Sequence, residues 1–159
     1  MTEHTYNVNV EWTGNLGQGT SGYQTYKRDY TLSSGDKLPI FGSSDPAFLG
    51  DPKKWNPEDL LVASASACHK LWYLHLCAVN NIQVVSYFDS AQGSMIDQHP
   101  TKKGHFTEIL LKPIIYITAQ SDIKRAFQLH DDAHHECFIA NSLNFPVRCT
   151  PTIYVSDEI

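Results

Sequence analysis

Residues 56–78 read NPEDLLVASASACHKLWYLHLCA, and the architecture of the chain turns on this stretch. Asn56 offers a side-chain oxygen to the first free backbone N–H groups of a helix. Pro57 fits the first turn, where its missing N–H has no partner to lose, and Glu58 and Asp59 put negative charge at the positive end of the helix dipole. The spacing predicts a helix from Pro57 to about Asn80, with Asn81 as its end cap. Apolar side chains occupy nearly every face of it, which predicts a central, buried helix.

Working outward, the first thirty residues alternate polar with aromatic or β-branched side chains at Tyr6, Val8, Val10 and Trp12, and again at Tyr23, Thr25 and Tyr26. This period predicts two antiparallel strands, with Gly14, Gly17, Gly19 and Gly22 as turns between them. No helix follows those glycines, so they do not form a phosphate-binding loop. Residues 33–56 are rich in Gly, Pro and Ser and predict a long loop. Its apolar side chains, Leu38, Ile40, Phe41, Phe48, Leu49 and Trp55, require a cover. C-terminal to the helix, strand periodicity returns at Ile82–Tyr87 and Gly104–Thr118, where Pro113 marks an edge or bulge. Ser121 or Asp122 caps a second helix carrying Ile123, Ala126, Phe127, His130 and Ala133, a short helical piece follows Cys137, and Thr152–Val155 forms a last strand. Strands in consecutive runs around two long helices predict an α+β sandwich in a single domain over residues 1–159.

The 159 residues are 42% apolar and 18% charged, the balance of a globular protein. A net charge of −5 with scattered lysines and arginines gives no footprint for nucleic acid. MTEHTYNVNV carries no basic segment leading into an apolar one, and no run is long enough to span a bilayer. Four cysteines without a secretion signal fit a reducing compartment, so a cytoplasmic location is expected.

Those cysteines and the histidines are the candidate chemistry. Cys68 sits mid-helix among small residues, either as a buried core thiol or as a reactive one. A thiolate there gains nothing from the helix dipole and needs a cation from elsewhere, for which Arg28 is a candidate. Glu58 lies nearly three turns before Cys68, so the two act jointly only through Arg28 or a substrate. Cys137 precedes a helix restart whose free N–H groups are expected to lower its pKa. Cys77 faces away from Cys68 and reads as core; Cys149 reads as packing. His130 and His134 have the spacing of a ligand pair, with His135, Glu136 and Cys137 beside them, which leaves a zinc-binding reading open. His69 and His75 read as core or interface residues, with His69 able to tune the neighbouring thiol.

NPEDLLVASASACHKLWYLHLCA resembles the Asn-Pro-Glu-(Glu/Asp)-Leu-Leu…Ala-Cys signature of the OsmC/Ohr family. AHHECFIANSL stands where that family has its second cysteine, with Phe138 and Ala140 in place of the usual Pro and Ser. Trp12-Thr13-Gly14 with GYQTYKRDY resembles its N-terminal strand pair. The resemblance implies an OsmC-like sandwich of antiparallel strands around long central helices, forming an intertwined homodimer whose active sites draw on both chains. It implies a cysteine-based peroxidase that reduces organic hydroperoxides to alcohols. Cys68 is then the peroxidatic cysteine, Cys137 the resolving one, Glu58 the buried carboxylate, and Arg28 or Lys27 the cation. An external dithiol, typically lipoyl-bearing in this family, would regenerate the enzyme, with no bound cofactor. The other readings are a non-catalytic ligand-binding or stress protein of the same fold, and a zinc protein using the His130–Cys137 cluster.

Overall fold

The computed structural model describes residues 1–98, 100–101 and 103–156. Its contacts gather into two compact units, Met1–Leu60 and Leu61–Ile159.

In Met1–Leu60, strands β1 (Asn9–Trp12), β2 (Tyr30–Ser33) and β3 (Ile40–Gly42) form an antiparallel sheet in that order. Trp12 lies opposite Tyr30, which lies opposite Gly42. A Cβ on Gly42 would stand 2.2 Å from the Tyr30 ring, so only glycine lets that ring cross the strand. The second strand therefore begins at Tyr30, beyond the predicted Tyr23–Tyr26. Those residues alternate as a strand would, but their polar groups are spent locally. The Thr25 hydroxyl donates to Gly22 O at 2.9 Å, and the Arg28 guanidinium donates to the carbonyls of Tyr26 (2.8 Å) and Tyr23 (2.7 Å). The predicted loop 33–56 contains β3 and a single 3-10 turn, Pro46–Phe48, capped by Asp45. Buried Ser43 ties the loop together from within: its N–H donates to Trp55 O at 2.8 Å and its Oγ accepts from Asp51 N at 3.1 Å.

Helix α1 spans Pro57–Val79. Asn56 Oδ1 accepts from Asp59 N at 2.7 Å, the predicted cap. At the other end Asn81 takes φ 58°, which returns the Ile82 N–H to Cys77 O at 2.9 Å. Within the single chain α1 is not enclosed on all sides. Ala65, His69, Tyr73 and Cys77 form one buried stripe, whereas Leu71 and Val79 are each 62% exposed.

In Leu61–Ile159, β4 (Val84–Asp89), β7 (Pro113–Thr118) and β9 (Thr152–Ser156) form one sheet in the order β4-β7-β9. The strands β5 (Gln92–Gln98), β6 (Lys103–Leu111) and β8 (Val147–Cys149) form a second in the order β5-β6-β8. The β4–β7 and β5–β6 pairs are antiparallel, but β6–β8 and β7–β9 are parallel. The α+β class is as predicted, and the sheets are mixed because the helical crossover returns the chain in the direction it left. The single predicted strand Gly104–Thr118 is two strands in two sheets. It breaks at Lys112, whose N–H donates to Asp89 Oδ1 at 2.7 Å, and Pro113, which has no N–H to offer, opens β7. Asp89 Oδ2 accepts from Ser66 of α1 at 2.5 Å, so one carboxylate ties this corner to the helix.

Helix α2 (Ile123–Glu136) is capped by Asp122, whose carboxylate accepts from Arg125 N at 3.0 Å, and α3 (Phe138–Asn141) follows Cys137. The buried face of α2 is Ala126, Leu129, His130 and Ala133. Leu129 takes the core place predicted for Ile123 and Phe127, which are 41% and 43% exposed. Two apolar clusters result. Tyr73, Cys77, Ile115, Ile117, Leu129 and Ile153 belong to one; Ala65, Ile109, Leu111 and Val147 form the buried part of the other. No described helix is long and apolar enough to cross a membrane.

The Asp89 corner yields a direct expectation. Asp89→Ala removes the acceptor of two hydrogen bonds, one from the Lys112 backbone, and should cost about 2 kcal/mol, as loss of charge-assisted bonds does. Urea denaturation followed by circular dichroism checks this, and an unchanged midpoint would deny the corner its role.

Candidate functional site

Cys68 stands in the middle of α1, half-buried, with buried His69 next to it on an adjoining face. Cys137 sits between α2 and α3 and serves both, as the C-cap of the first and the N-cap of the second. In the second role its sulfur accepts from Ala140 N at 3.4 Å. The fold thus brings together two thiols that lie 69 residues apart in the sequence, both of them reduced. The predicted lowering of the Cys137 pKa is reversed. Burial, reinforced by the adjacent Cys68 thiol, pushes it up to about 11, and the N–H groups of Ala140 and Ile139 only partly offset this. At neutral pH Cys137 therefore rests as a thiol. An aromatic wall stands beside the pair: Trp72, one turn beyond Cys68, meets the ring of Phe138 edge to face at 5.6 Å, and Phe138 is 68% exposed.

The polar candidates lie in Met1–Leu60. The Arg28 guanidinium, besides its two carbonyl acceptors, lies 4.5 Å from the centroid of Tyr23 and 4.2 Å from that of Tyr26, so backbone and π contacts fix its plane. Lys27 is exposed, and its backbone carbonyl accepts from the Trp12 indole at 2.8 Å. Glu58 is half-buried in the first turn of α1. It makes no ion pair with Arg28 within the chain; the ion pairs of this unit are Lys54–Asp29 at 2.6 Å, which holds the Asp29 carboxyl below its usual range, and Lys54–Asp51 at 3.9 Å. Phe41 and Phe48 are exposed at 60% and 43%.

Of the other cysteines, Cys77 is core, as predicted, with burial pushing its thiol up to about 11. Cys149 is not mere packing. Its sulfur lies 3.6 Å from His69 Nε2 and 3.8 Å from His130 Nδ1, and those two nitrogens are 3.0 Å apart. His130 thus turns toward His69 and Cys149, and these three are the one group of potential metal ligands among the described residues. His130, which the i, i+4 spacing pairs with His134, groups instead with His69 and Cys149, because it lies on the buried face of α2. Burial lowers His69 to about 4, with His134 contributing, and lowers His130 to about 3, with His69 contributing. Both imidazoles are neutral at pH 7. The only advance signal was their placement among apolar residues, since Cys149 reaches them through β8, a strand the sequence did not announce.

The family model of OsmC-like proteins matches residues 50–152, well over half of the chain. The chain belongs to the OsmC-like family. No curated protein sequence matches it significantly. Among solved structures, an OsmC-like protein of unknown function from Vibrio cholerae is 26% identical with a TM-score of 0.85, over 94% of this chain and 100% of its own. An organic hydroperoxide resistance protein OsmC from Legionella pneumophila is 18% identical with a TM-score of 0.69, over 98% and 100%. An organic hydroperoxide resistance protein of Bacillus subtilis is 21% identical with a TM-score of 0.62, over 94% and 98%. The OsmC-like fold therefore extends over nearly all of the chain, including the segment before residue 50.

In this OsmC-like chain the two buried histidines make stability depend on pH in a defined direction. Their folded-state pKa values lie below the ordinary 6.5, so between pH 6.5 and about 4 the unfolded chain binds protons that the folded chain does not. Stability should fall as pH drops through that window. Denaturant midpoints measured in EDTA from pH 7 to 4.5 should decline more steeply for the wild type than for the His69→Leu, His130→Leu double variant; equal slopes would contradict the assignment.

Proposed function

We propose that this chain is a cysteine-based peroxidase that reduces organic hydroperoxides to alcohols, with Cys68 attacking and Cys137 resolving. The observation that carries the reading is the meeting of a half-buried Cys68 with a buried, protonated Cys137 beside the Trp72–Phe138 wall. The Cys68 thiolate attacks the terminal oxygen of the hydroperoxide and the O–O bond breaks. The alkoxide leaves with a proton as the alcohol, and Cys68 becomes a sulfenic acid. Cys137 then attacks that sulfur, water departs, and a Cys68–Cys137 disulfide remains. An external dithiol, of which a lipoyl group is the favoured class, exchanges with the disulfide and restores both thiols. Apolar rings at the mouth select peroxides with an organic substituent over hydrogen peroxide.

Arg28 supplies the cation that stabilises the thiolate and the charge developing on the peroxide, and Glu58 orients it by paired hydrogen bonds. The guanidinium is already held flat by Tyr23 and Tyr26 and has N–H groups left for a carboxylate. The working form is an intertwined homodimer. In support, one chain leaves Leu38 91% exposed, Val10 69%, Leu71 62% and Phe41 60%, a large apolar surface for a monomer. Sedimentation at micromolar concentration should give twice the 17.9 kDa chain mass, and a stable monomer would refute the dimer.

Intact-mass spectrometry after one equivalent of cumene hydroperoxide tests the chemistry. The wild type should lose two hydrogens, and peptide mapping should place a disulfide between Cys68 and Cys137. Cys137→Ser should gain one oxygen on Cys68 and, with excess peroxide, two or three. Cys68→Ser should remain unmodified at the site. A wild type that consumes no peroxide would leave a ligand-binding or stress protein of the same fold; a disulfide from Cys68 to Cys77 or Cys149 would sink the assignment of Cys137.

A further inference from the structure

The His69–His130–Cys149 trio takes no part in the redox cycle, yet it buries two imidazoles and a thiol in contact with one another. His69 is 1% exposed and His130 3%. The trio draws on three separate elements, α1, α2 and the end of β8. Its hydrogen bonds are unequal in quality. One N–H···N contact of 3.0 Å joins the rings, and the sulfur stands at 3.6 and 3.8 Å, distances for a weak thiol donor. His130 Nε2 is buried with no partner, and it would keep its proton and remain so with Nδ1 as the ligand. Neither Tyr73, stacked on the His130 ring at 3.8 Å, nor His69, nearly parallel to it, offers that nitrogen anything.

As a set of metal ligands the same three atoms have the spacing of a zinc site. Two imidazole nitrogens at about 2.05 Å and a thiolate at about 2.3 Å from a tetrahedral zinc ion stand about 3.3 Å apart (N to N) and about 3.6 Å apart (N to S). The corresponding distances here are 3.0, 3.6 and 3.8 Å, each within about 0.3 Å of that triangle, before any ion is bound. We infer that His69 Nε2, His130 Nδ1 and Cys149 Sγ form a binding site for one Zn2+ per chain, with a fourth position left to water or another small ligand. Two nitrogens and one thiolate suit zinc among the common divalent ions, and magnesium and calcium, which require oxygen, are excluded by the donor set. Binding expels the Cys149 proton and exchanges the N–H···N contact for two N–Zn bonds, each ring turning its lone pair toward the shared point. Because His69 adjoins Cys68 on α1, the ion would clamp the helix beside the reactive thiol. The site is separate from the Cys68–Cys137 pair and does not depend on the peroxidase reading.

The test uses the full chain, stripped with EDTA, reduced and titrated with Zn2+, with Co2+ as a spectroscopic stand-in. The wild type should bind one ion per chain, its melting temperature should rise with Zn2+, and Co2+ should show a thiolate charge-transfer band. Cys149→Ser should lose that band and bind Zn2+ at least about 100-fold more weakly, a gap expected from losing one of three ligands. The Cys68→Ser, Cys137→Ser double variant should bind like the wild type, which separates this site from the redox pair. Circular dichroism and melting in EDTA show whether Cys149→Ser is folded; if it is not, His130→Gln takes its place, with the same weakening of Zn2+ binding expected. Binding that survives Cys149→Ser but disappears with the redox pair, or no binding above background in the folded wild type, would overturn the proposal.

Discussion

One stripe of α1, Ala65, His69, Tyr73 and Cys77, fixes the rest of Leu61–Ile159. Ala65 belongs to one apolar cluster and Tyr73 and Cys77 to the other, with His69 between them in the sequence. The Tyr73 hydroxyl donates to Ala126 O at 3.2 Å, and the His69 and His130 nitrogens meet at 3.0 Å, so both the position and the rotation of α2 are set from this stripe. With α2 so fixed, its C-cap, Cys137, comes to Cys68. Successive residues on a helix lie about 100° apart, which is why Cys68 can face Cys137 while His69 faces the core.

The sheets answer to a second constraint, the corner between β6 and β7. Asp89 holds it from the end of β4, receiving the Lys112 N–H and the Ser66 hydroxyl. The chain leaves one sheet there and enters the other, and each sheet then gains a parallel strand, β8 beside β6 and β9 beside β7. In the first of these pairings Cys149 lies opposite Leu111 and is delivered to the two histidines of the core. Two thiol environments arise on the two sides of α1. Cys137 has backbone N–H groups directed at its sulfur, which moderate the effect of burial. At Cys149 burial acts together with the negative charges of Asp89 and Asp131 and pushes the thiol up to about 12.

Met1–Leu60 shows the same economy on a smaller scale. Its sheet is short and its apolar side chains remain largely open, but its polar groups are carefully placed. Gly42 admits the Tyr30 ring, Lys54 holds Asp29, and Arg28 is flattened between two tyrosines.

The sequence by itself determined what depends on near neighbours. Asn56 and Pro57 start α1 and Asn81 ends it, Asp122 starts α2, and the Asn-Pro-Glu and Ala-Cys signature marks the family, because caps, turn residues and helical periodicity act over a few residues. It also pointed to Cys68 within that signature and to Cys137 in AHHECFIANSL, where the family carries its second cysteine. Where local pattern and tertiary context disagreed, context prevailed. Tyr23–Tyr26 alternates like a strand but its backbone is engaged in turns, Gly104–Thr118 is continuous in pattern but divided at Lys112, and Cys137 lies at a helix start but titrates as a buried thiol. Only the tertiary structure decided that Cys149 meets His69 and His130. Their meeting depends on a three-residue parallel strand whose partner lies some forty residues earlier, and pairing at that distance follows from how whole elements pack, which no short window of sequence encodes.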